Sequence, residues 1–197
     1  MTGLREQKKQ ATRVALREAA LRLAVERGPE NVRVDDIAAA AGVSVRTYNN
    51  YYASREQAIV AAITAEREGR VAAALAARAD EPLAEAVVAA VVEQYTDPGA
   101  DTRPLIEGNP ALRAAFTDTT PVEDPLAEAI GHRVGDPDTA AVLAAATAAA
   151  VRVALRRWTA PGPTGLVVVS GPLPDLLRRA LSPLAPALAA AEAQSGK

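Results

Sequence analysis

The chain is predicted to be all-α, with an amino-terminal three-helix helix-turn-helix domain joined by a long helix to a second helical domain. Three observations predict it. Hydrophobic residues fill 49% of the 197 positions. Ala dominates them, and Ala with Leu, Arg and Glu is strong helix-forming material. Apolar residues recur at helical spacing between Gly and Pro stops. Three of the six aromatic residues, Tyr48, Tyr51 and Tyr52, crowd into a polar segment directly after Gly42-Val43-Ser44.

The elements follow in order. Gln7 to Arg27 carries Val14, Ala15, Ala19, Leu21, Leu23 and Val25 and stops at Gly28-Pro29, the pattern of an amphipathic helix. Val34 to Ala41 puts Val34, Ile37, Ala38 and Ala41 on one face of a short second helix. Gly42 supplies a permissive backbone for the turn, Val43 a plug, and Ser44 a cap for a third helix reaching about Tyr51. Ser54-Arg55-Glu56-Gln57 is a capping box that opens a fourth helix, running through Ile59, Ile63, Val71 and Leu75 to about Ala79. Pro82 to Tyr95 is a fifth. The domain boundary is expected between residues 53 and 54, giving units 1–53 and 54–197.

The second part is less sharply marked. Pro104 to Thr117 reads as one or two short helices broken near Gly108 and Pro110. Helices are expected from Pro125 to Val134, from Thr139 to Thr159, and from Leu173 to Ala191 with a break around Pro183 and Pro186. Gly165 to Gly171, a β-branched run, is an extended loop or a single strand.

Composition narrows the function. Cysteine is absent, which excludes disulfides, zinc thiolates and Cys nucleophiles. Met1 to Gln10 lacks the apolar core of a signal peptide, and Thr139 to Val151 is too short to span a bilayer, so no membrane partner and a cytoplasmic location are expected. Residues 1–57 hold ten Lys/Arg against seven Asp/Glu, while the remainder holds 12 against 17. A basic end on an acidic body suits contact with a polyanion. No catalytic set emerges: a Ser-His-Asp reading would need His132 beside Ser170 or Ser182, and no nucleophile motif precedes either serine. With one His and no Cys, no metal site and no cofactor are expected, and the protein is read as no enzyme.

The segment around Tyr48 carries the functional signal. Arg46, Thr47, Asn49, Asn50 and Arg55 are side chains that bond to bases and phosphates. Tyr48 and Tyr52 lie four apart on one helical face and are expected in the core; Tyr51 is about 100° around and is a phosphate contact or a solvent-facing ring. Arg5, Lys8 and Lys9 form either a DNA-contacting arm or a solvated tail.

At this point the sequence resembles the TetR family of bacterial transcriptional regulators over roughly residues 9–60. The resemblance rests on Arg13 with Ala19-Ala20-Leu21, on Glu26-Arg27-Gly28, and on Val34-Asp35-Asp36-Ile37-Ala38-Ala39-Ala40-Ala41-Gly42-Val43-Ser44. Thr47-Tyr48, Tyr51-Tyr52 and Ser54-Arg55-Glu56 complete it. It implies a homodimer whose amino-terminal domain binds a palindromic double-stranded DNA operator and whose second domain is a helical ligand-binding and dimerisation domain, enclosing a ligand and forming the dimer interface. It further implies base contacts for Val45, Arg46, Asn49 and Asn50, and phosphate contacts for Thr47, Tyr51 and Arg55. Four positions depart from the family pattern. Arg33 stands where a Ser or Thr cap is usual, leaving Asn31 as another candidate cap; Asn49 replaces an aromatic, Ala24 a Phe, and Arg55 a Lys.

The expected function is therefore a ligand-responsive transcriptional regulator, a repressor released by a small apolar molecule. The alternative is a helical protein-interaction adaptor without sequence-specific DNA binding. Tyr95, Phe116 and Trp158, the aromatics outside the recognition region, are candidate walls of the ligand pocket or ordinary core. Dimerisation is expected through the last two helices, with apolar stripes at Leu143, Val151 and Leu155 and at Leu173, Leu177, Leu181 and Leu184; one stripe must also wall the ligand pocket, so the expectation is for the helices and not for every residue. Thr147, within the first stripe, is expected to bond back to its own helix.

Overall fold

The computed structural model describes residues 3–96, 108–112, 115, 124–159 and 171–195, and every regular element among them is helical. The helices are α1 (Leu4–Arg27), α2 (Val34–Ala40), α3 (Val45–Asn49), α4 (Arg55–Ala76), α5 (Leu83–Thr96), α6 (Asp124–Val134), α7 (Pro137–Thr159), α8 (Leu173–Leu181) and α9 (Ala185–Ser195). The all-α expectation holds. The last helix is interrupted where expected, by a 3₁₀ turn at Ser182–Leu184, where Pro183 removes a backbone donor. Residues 160–170, with most of the Gly165 to Gly171 run, lie outside the described residues, as does Phe116.

Two compact units form. One comprises Met1–Ala65 with Ala100–Thr120, the other Glu66–Gly99 with Pro121–Lys197. The division falls within α4, eleven residues beyond that helix's start, and a segment from the middle of the chain joins the first unit.

In the first unit, α1 packs on α2 and α2 on α3. Leu16, Ala20, Ala24, Val32, Ile37, Tyr48, Ala58, Ile59 and Val60 are all fully buried there. Leu112 is as buried as any of them and belongs to the same core, with Ala115 packed against it. Asn109 sets up that turn, its Oδ1 accepting from the N–H groups of Ala111 (2.9 Å) and Leu112 (3.2 Å). Gly28 ends α1 at φ +79°, a conformation that a side chain resists. Asn31 does not cap α2; its amide donates to the carbonyl of Arg27 at 2.7 Å and so finishes α1.

In the second unit, α7 is the central element, packed on α6 and α8, while α5 meets α8 and α9. By length and composition alone α7 is apolar enough to cross a membrane, yet one face belongs to the core: Ala140, Leu143, Ala144, Thr147, Val151 and Ala154 are buried. The Thr147 hydroxyl donates to the Leu143 carbonyl at 2.8 Å, as its position on an apolar stripe requires. Leu143, Val151, Leu177 and Leu181 are at most 6% exposed within the single chain. These four residues of the stripes read from sequence as a dimer face thus belong to the subunit's own core, while Leu155, Leu173 and Leu184 are half-buried against it.

One polar knot ties this unit together. Arg133 on α6 donates to the carbonyls of Arg78 and Glu81 and pairs with the carboxylate of Glu192 on α9. The other oxygen of Glu192 accepts the backbone N–H of Leu83 at 2.8 Å, capping α5 from 109 residues away. Carbonyls past the end of α4 and an N–H at the start of α5 are thereby satisfied in a single half-buried cluster.

Candidate nucleic-acid interface

The turn after α2 is built from its backbone upward. Ala41 N–H bonds the Ile37 carbonyl (3.0 Å), Gly42 takes φ +69°, and Val43 N–H returns to the Ala38 carbonyl at 2.9 Å. Only a residue without Cβ enters that left-handed conformation freely. Ser44 then caps α3: its hydroxyl oxygen accepts from Thr47 N–H at 3.1 Å and lies 2.9 Å from the Thr47 hydroxyl.

This corner points some side chains inward and leaves others in solvent. Tyr48 is fully buried and Tyr52 is 8% exposed, their ring centroids 5.9 Å apart and tilted. Both pack in the core, as their four-residue spacing predicts. The Tyr48 hydroxyl donates to the Ser54 carbonyl at 2.8 Å, linking α3 to the residue that opens α4. Val45, Arg46, Asn49 and Asn50 are exposed. Three polar side chains and one apolar one therefore form the outer face of a helix whose inner face is clamped. Thr47 and Tyr51 sit at the margin, half-buried.

Arg55 is placed differently from its neighbours. Its Nη1 donates to the carbonyls of Glu30 (2.9 Å) and Val32 (2.7 Å), and its Nε to Glu56 at 2.7 Å. Burial pushes the Glu56 carboxyl up, but hydrogen bonds from Arg55, the backbone and Ser54, with the Arg55 charge, more than offset this and hold it below the usual carboxylate range. Ser54 caps α4 by accepting from Gln57 N–H (3.2 Å), and the Gln57 side chain reaches back to Ala53 N–H (3.0 Å). At α2 the start is Arg33, which has no acceptor to offer; Asp36 accepts the Arg33 N–H at 3.3 Å.

Of the remaining sequence candidates, Tyr95 and Trp158 are half-buried against the core of the second unit, and the Arg67 guanidinium lies 4.8 Å from the Tyr95 ring centroid. His132 is exposed on α6. Among the described residues no group of three or more His, Cys, Asp or Glu is arranged to hold a metal ion.

Residues 16–62, which include the whole turn and α3, match the family described as bacterial regulatory proteins, tetR family. Residues 81–189, more than half the chain, match the MftR C-terminal domain. The chain belongs to the TetR family of bacterial transcriptional regulators. Two proteins described as uncharacterized HTH-type transcriptional regulators of Mycobacterium tuberculosis, from strains CDC 1551 / Oshkosh and ATCC 25618 / H37Rv, are each 34% identical over 131 residues. That alignment takes in 66% of this chain and 57% of either relative, so the chain spans little more than half the length of the curated relatives it matches. In this TetR-family chain α3 is fastened by Tyr48, which the sequence placed correctly, while Arg55 bonds inward to the segment before α2, which the sequence did not disclose. The one available signal was Arg in place of Lys beside an acidic Glu56.

Burial raises the Tyr48 pKa well above the ordinary tyrosine value, with the nearby Tyr52 and Glu56 charges adding to the effect. A raised acid pKa means the folded state requires the neutral form. The stability it contributes is complete below about pH 10 and declines as pH rises past that value. Denaturant midpoints are expected to fall between about pH 10 and 12 more steeply for the native sequence than for Tyr48→Phe. The variant itself gives up about 1 kcal/mol at neutral pH with the lost hydrogen bond. Parallel alkaline losses in both proteins would show that this hydroxyl does not control the transition.

Proposed function

We propose that this protein is a ligand-responsive DNA-binding regulator, a cytoplasmic repressor that binds a palindromic operator as a homodimer. The observation that carries the reading is the exposed row Val45, Arg46, Asn49 and Asn50 on a helix fixed from behind by Tyr48 and Tyr52. Arg46 is suited to guanine, and each Asn to the N6/N7 edge of adenine in the major groove. Thr47 and Tyr51, at the margin of the row, are assigned to phosphates. Replacing Asn50 or Arg46 by Ala is expected to change sequence preference by about 1–3 kcal/mol at one operator position, read by competition binding against single-base operator variants. Wild-type preference in both variants would show that another face reads the bases. Absence of any duplex preference in the parent protein would favour a protein-interaction adaptor.

Two copies must set their reading helices about 34–36 Å apart to match one turn of DNA. The dimer contact is assigned to the outer face of α7. Val142 is 68% and Val153 45% exposed, and eleven residues of helix return them to nearly the same direction. Ala145, Ala146 and Ala149 lie between them and permit close approach. In a two-fold antiparallel crossing, Val142 of one copy meets Val153 of the other, and Asp138 faces the oppositely charged Arg157. Val142→Asp with Val153→Asp should therefore give monomers at micromolar concentration in sedimentation. A dimer that survives both changes lies on another face.

The ligand site is assigned to the second unit, among α4, α5, α6 and α7, with Tyr95 and Trp158 as walls and an apolar molecule as occupant. Phe116, a third candidate, lies outside the described residues. A ligand coupling of about 1–3 kcal/mol would weaken operator binding by roughly 5- to 150-fold. The helix α4, which contributes residues to both units, is the natural lever. Trp158 is the sole indole, so a true effector should change its fluorescence over the same concentrations that release DNA. Release without a spectral change, and unchanged effector affinity in Trp158→Ala, would move the pocket elsewhere.

A further inference from the structure

The family resemblance implies a phosphate contact for Arg55, but the structure commits its guanidinium to the protein. Nη1 is shared by the carbonyls of Glu30 and Val32, and Nε is bonded to Glu56. Val32 is fully buried, and the next residue is the α2 cap, Arg33, which supplies no side-chain acceptor. Two bonds therefore define where α2 begins: Asp36 to the Arg33 N–H, and Arg55 to the Val32 carbonyl. Helix α2 packs on α3, and Arg55 is the first residue of α4.

We propose that Arg55 is a positioning residue, a brace fastening the α2–α3 pair to the first turn of α4, so that it sets DNA sequence preference without touching DNA. The proposal rests on the DNA-binding reading above. A lysine cannot replace it, because one ammonium on a single stem does not supply the Nη1 and Nε bonds together in a planar fork. The brace also gives a displacement of the α4 start a hydrogen-bonded route to the start of α2: moving Arg55 pulls on the Val32 carbonyl.

A phosphate contact and a brace leave different signatures. Loss of a phosphate partner weakens all duplexes alike and lowers the salt slope by about one unit. Loss of a brace leaves that slope intact and erodes discrimination. The test uses the full chain, a duplex selected by the native protein from a random-sequence pool, and a scrambled duplex of equal length. Native protein, Arg55→Lys and Arg55→Gln are titrated across a salt series at a temperature where circular dichroism shows all three folded. Both variants should lose roughly tenfold in the selected-to-scrambled affinity ratio, the scale of one misaligned base contact, with native salt slopes. Without DNA, amides of α2 and α3 should exchange roughly tenfold faster in both variants while those of α5 to α9 are unchanged. A slope lower by about one unit in Arg55→Gln, with both duplexes weakened equally and full recovery in Arg55→Lys, overturns the brace in favour of a phosphate contact. Unchanged ratio and unchanged exchange overturn it as well. If the native protein selects no sequence, the DNA-binding reading is what fails, and amide exchange alone decides the brace.

Discussion

Three backbone carbonyls at helix boundaries govern the first unit. Those of Glu30 and Val32 precede α2; that of Ser54 opens α4, where it also accepts the Ala58 N–H at 3.3 Å. Arg55 takes the first two and the Tyr48 hydroxyl takes the third. Val32 is fully buried, and an unmet buried carbonyl there would cost on the order of 1–3 kcal/mol, so its bond to Arg55 weighs most in deciding which arrangement of the helices is tolerated. The orientation of α3 follows from them. Its inner residue is tied to the α4 cap, its preceding helix is tied to the α4 first residue, and the outer row of Val45, Arg46, Asn49 and Asn50 is left with one direction to face.

The two units solve the same problem by different means. The first spends its few large residues, Tyr48, Tyr52, Leu16, Ile37, Ile59 and Leu112, on a small core. The second packs Ala and Leu faces of α5, α7 and α8, and assigns its loose helix ends to charged groups, with Arg133 and Glu192 at the centre. Removing one partner of such a half-buried pair exposes the other to an uncompensated environment, which is costlier than the pair itself is stabilising. Short Ala side chains on α7 serve both faces at once, filling the core on one side and leaving a smooth surface on the other.

Local chemistry was legible in the sequence wherever it acts within a few residues. The Ser44 cap, the Ser54-to-Gln57 box, the Gly42 turn, the inward Tyr48 and Tyr52 and the back-bonded Thr147 all follow from spacing alone, because each partner lies within four residues of the other. What escaped is nonlocal. Leu112 reads as one apolar residue in a Pro-rich stretch, and nothing nearby shows that it completes a core formed about 50 to 100 positions earlier. Arg55 carries the same formal charge whether it faces a phosphate or two carbonyls. The Leu143 and Leu177 stripes show that α7 and α8 each have an apolar face, but a stripe has no label for its partner, and the subunit itself claimed them. The exposed Val142 and Val153 are the residue of that competition.

The bond between Glu192 and the start of α5 has a consequence for how the chain comes off the ribosome. Leu83 emerges 109 residues before the carboxylate that caps it. At about 5–20 residues per second, α5 waits roughly 5 to 20 seconds with its first N–H and the Arg133 site open to water. Its apolar face, with Val87, Ala90 and Val91, is exposed over the same interval. The first unit, whose core is complete once Leu112 has been translated, can acquire its shape while the second unit is still being synthesised. Nascent chains should thus pass through a stage in which the first unit is formed and the second is not, and the interval is set by translation speed rather than by any barrier in the folded protein.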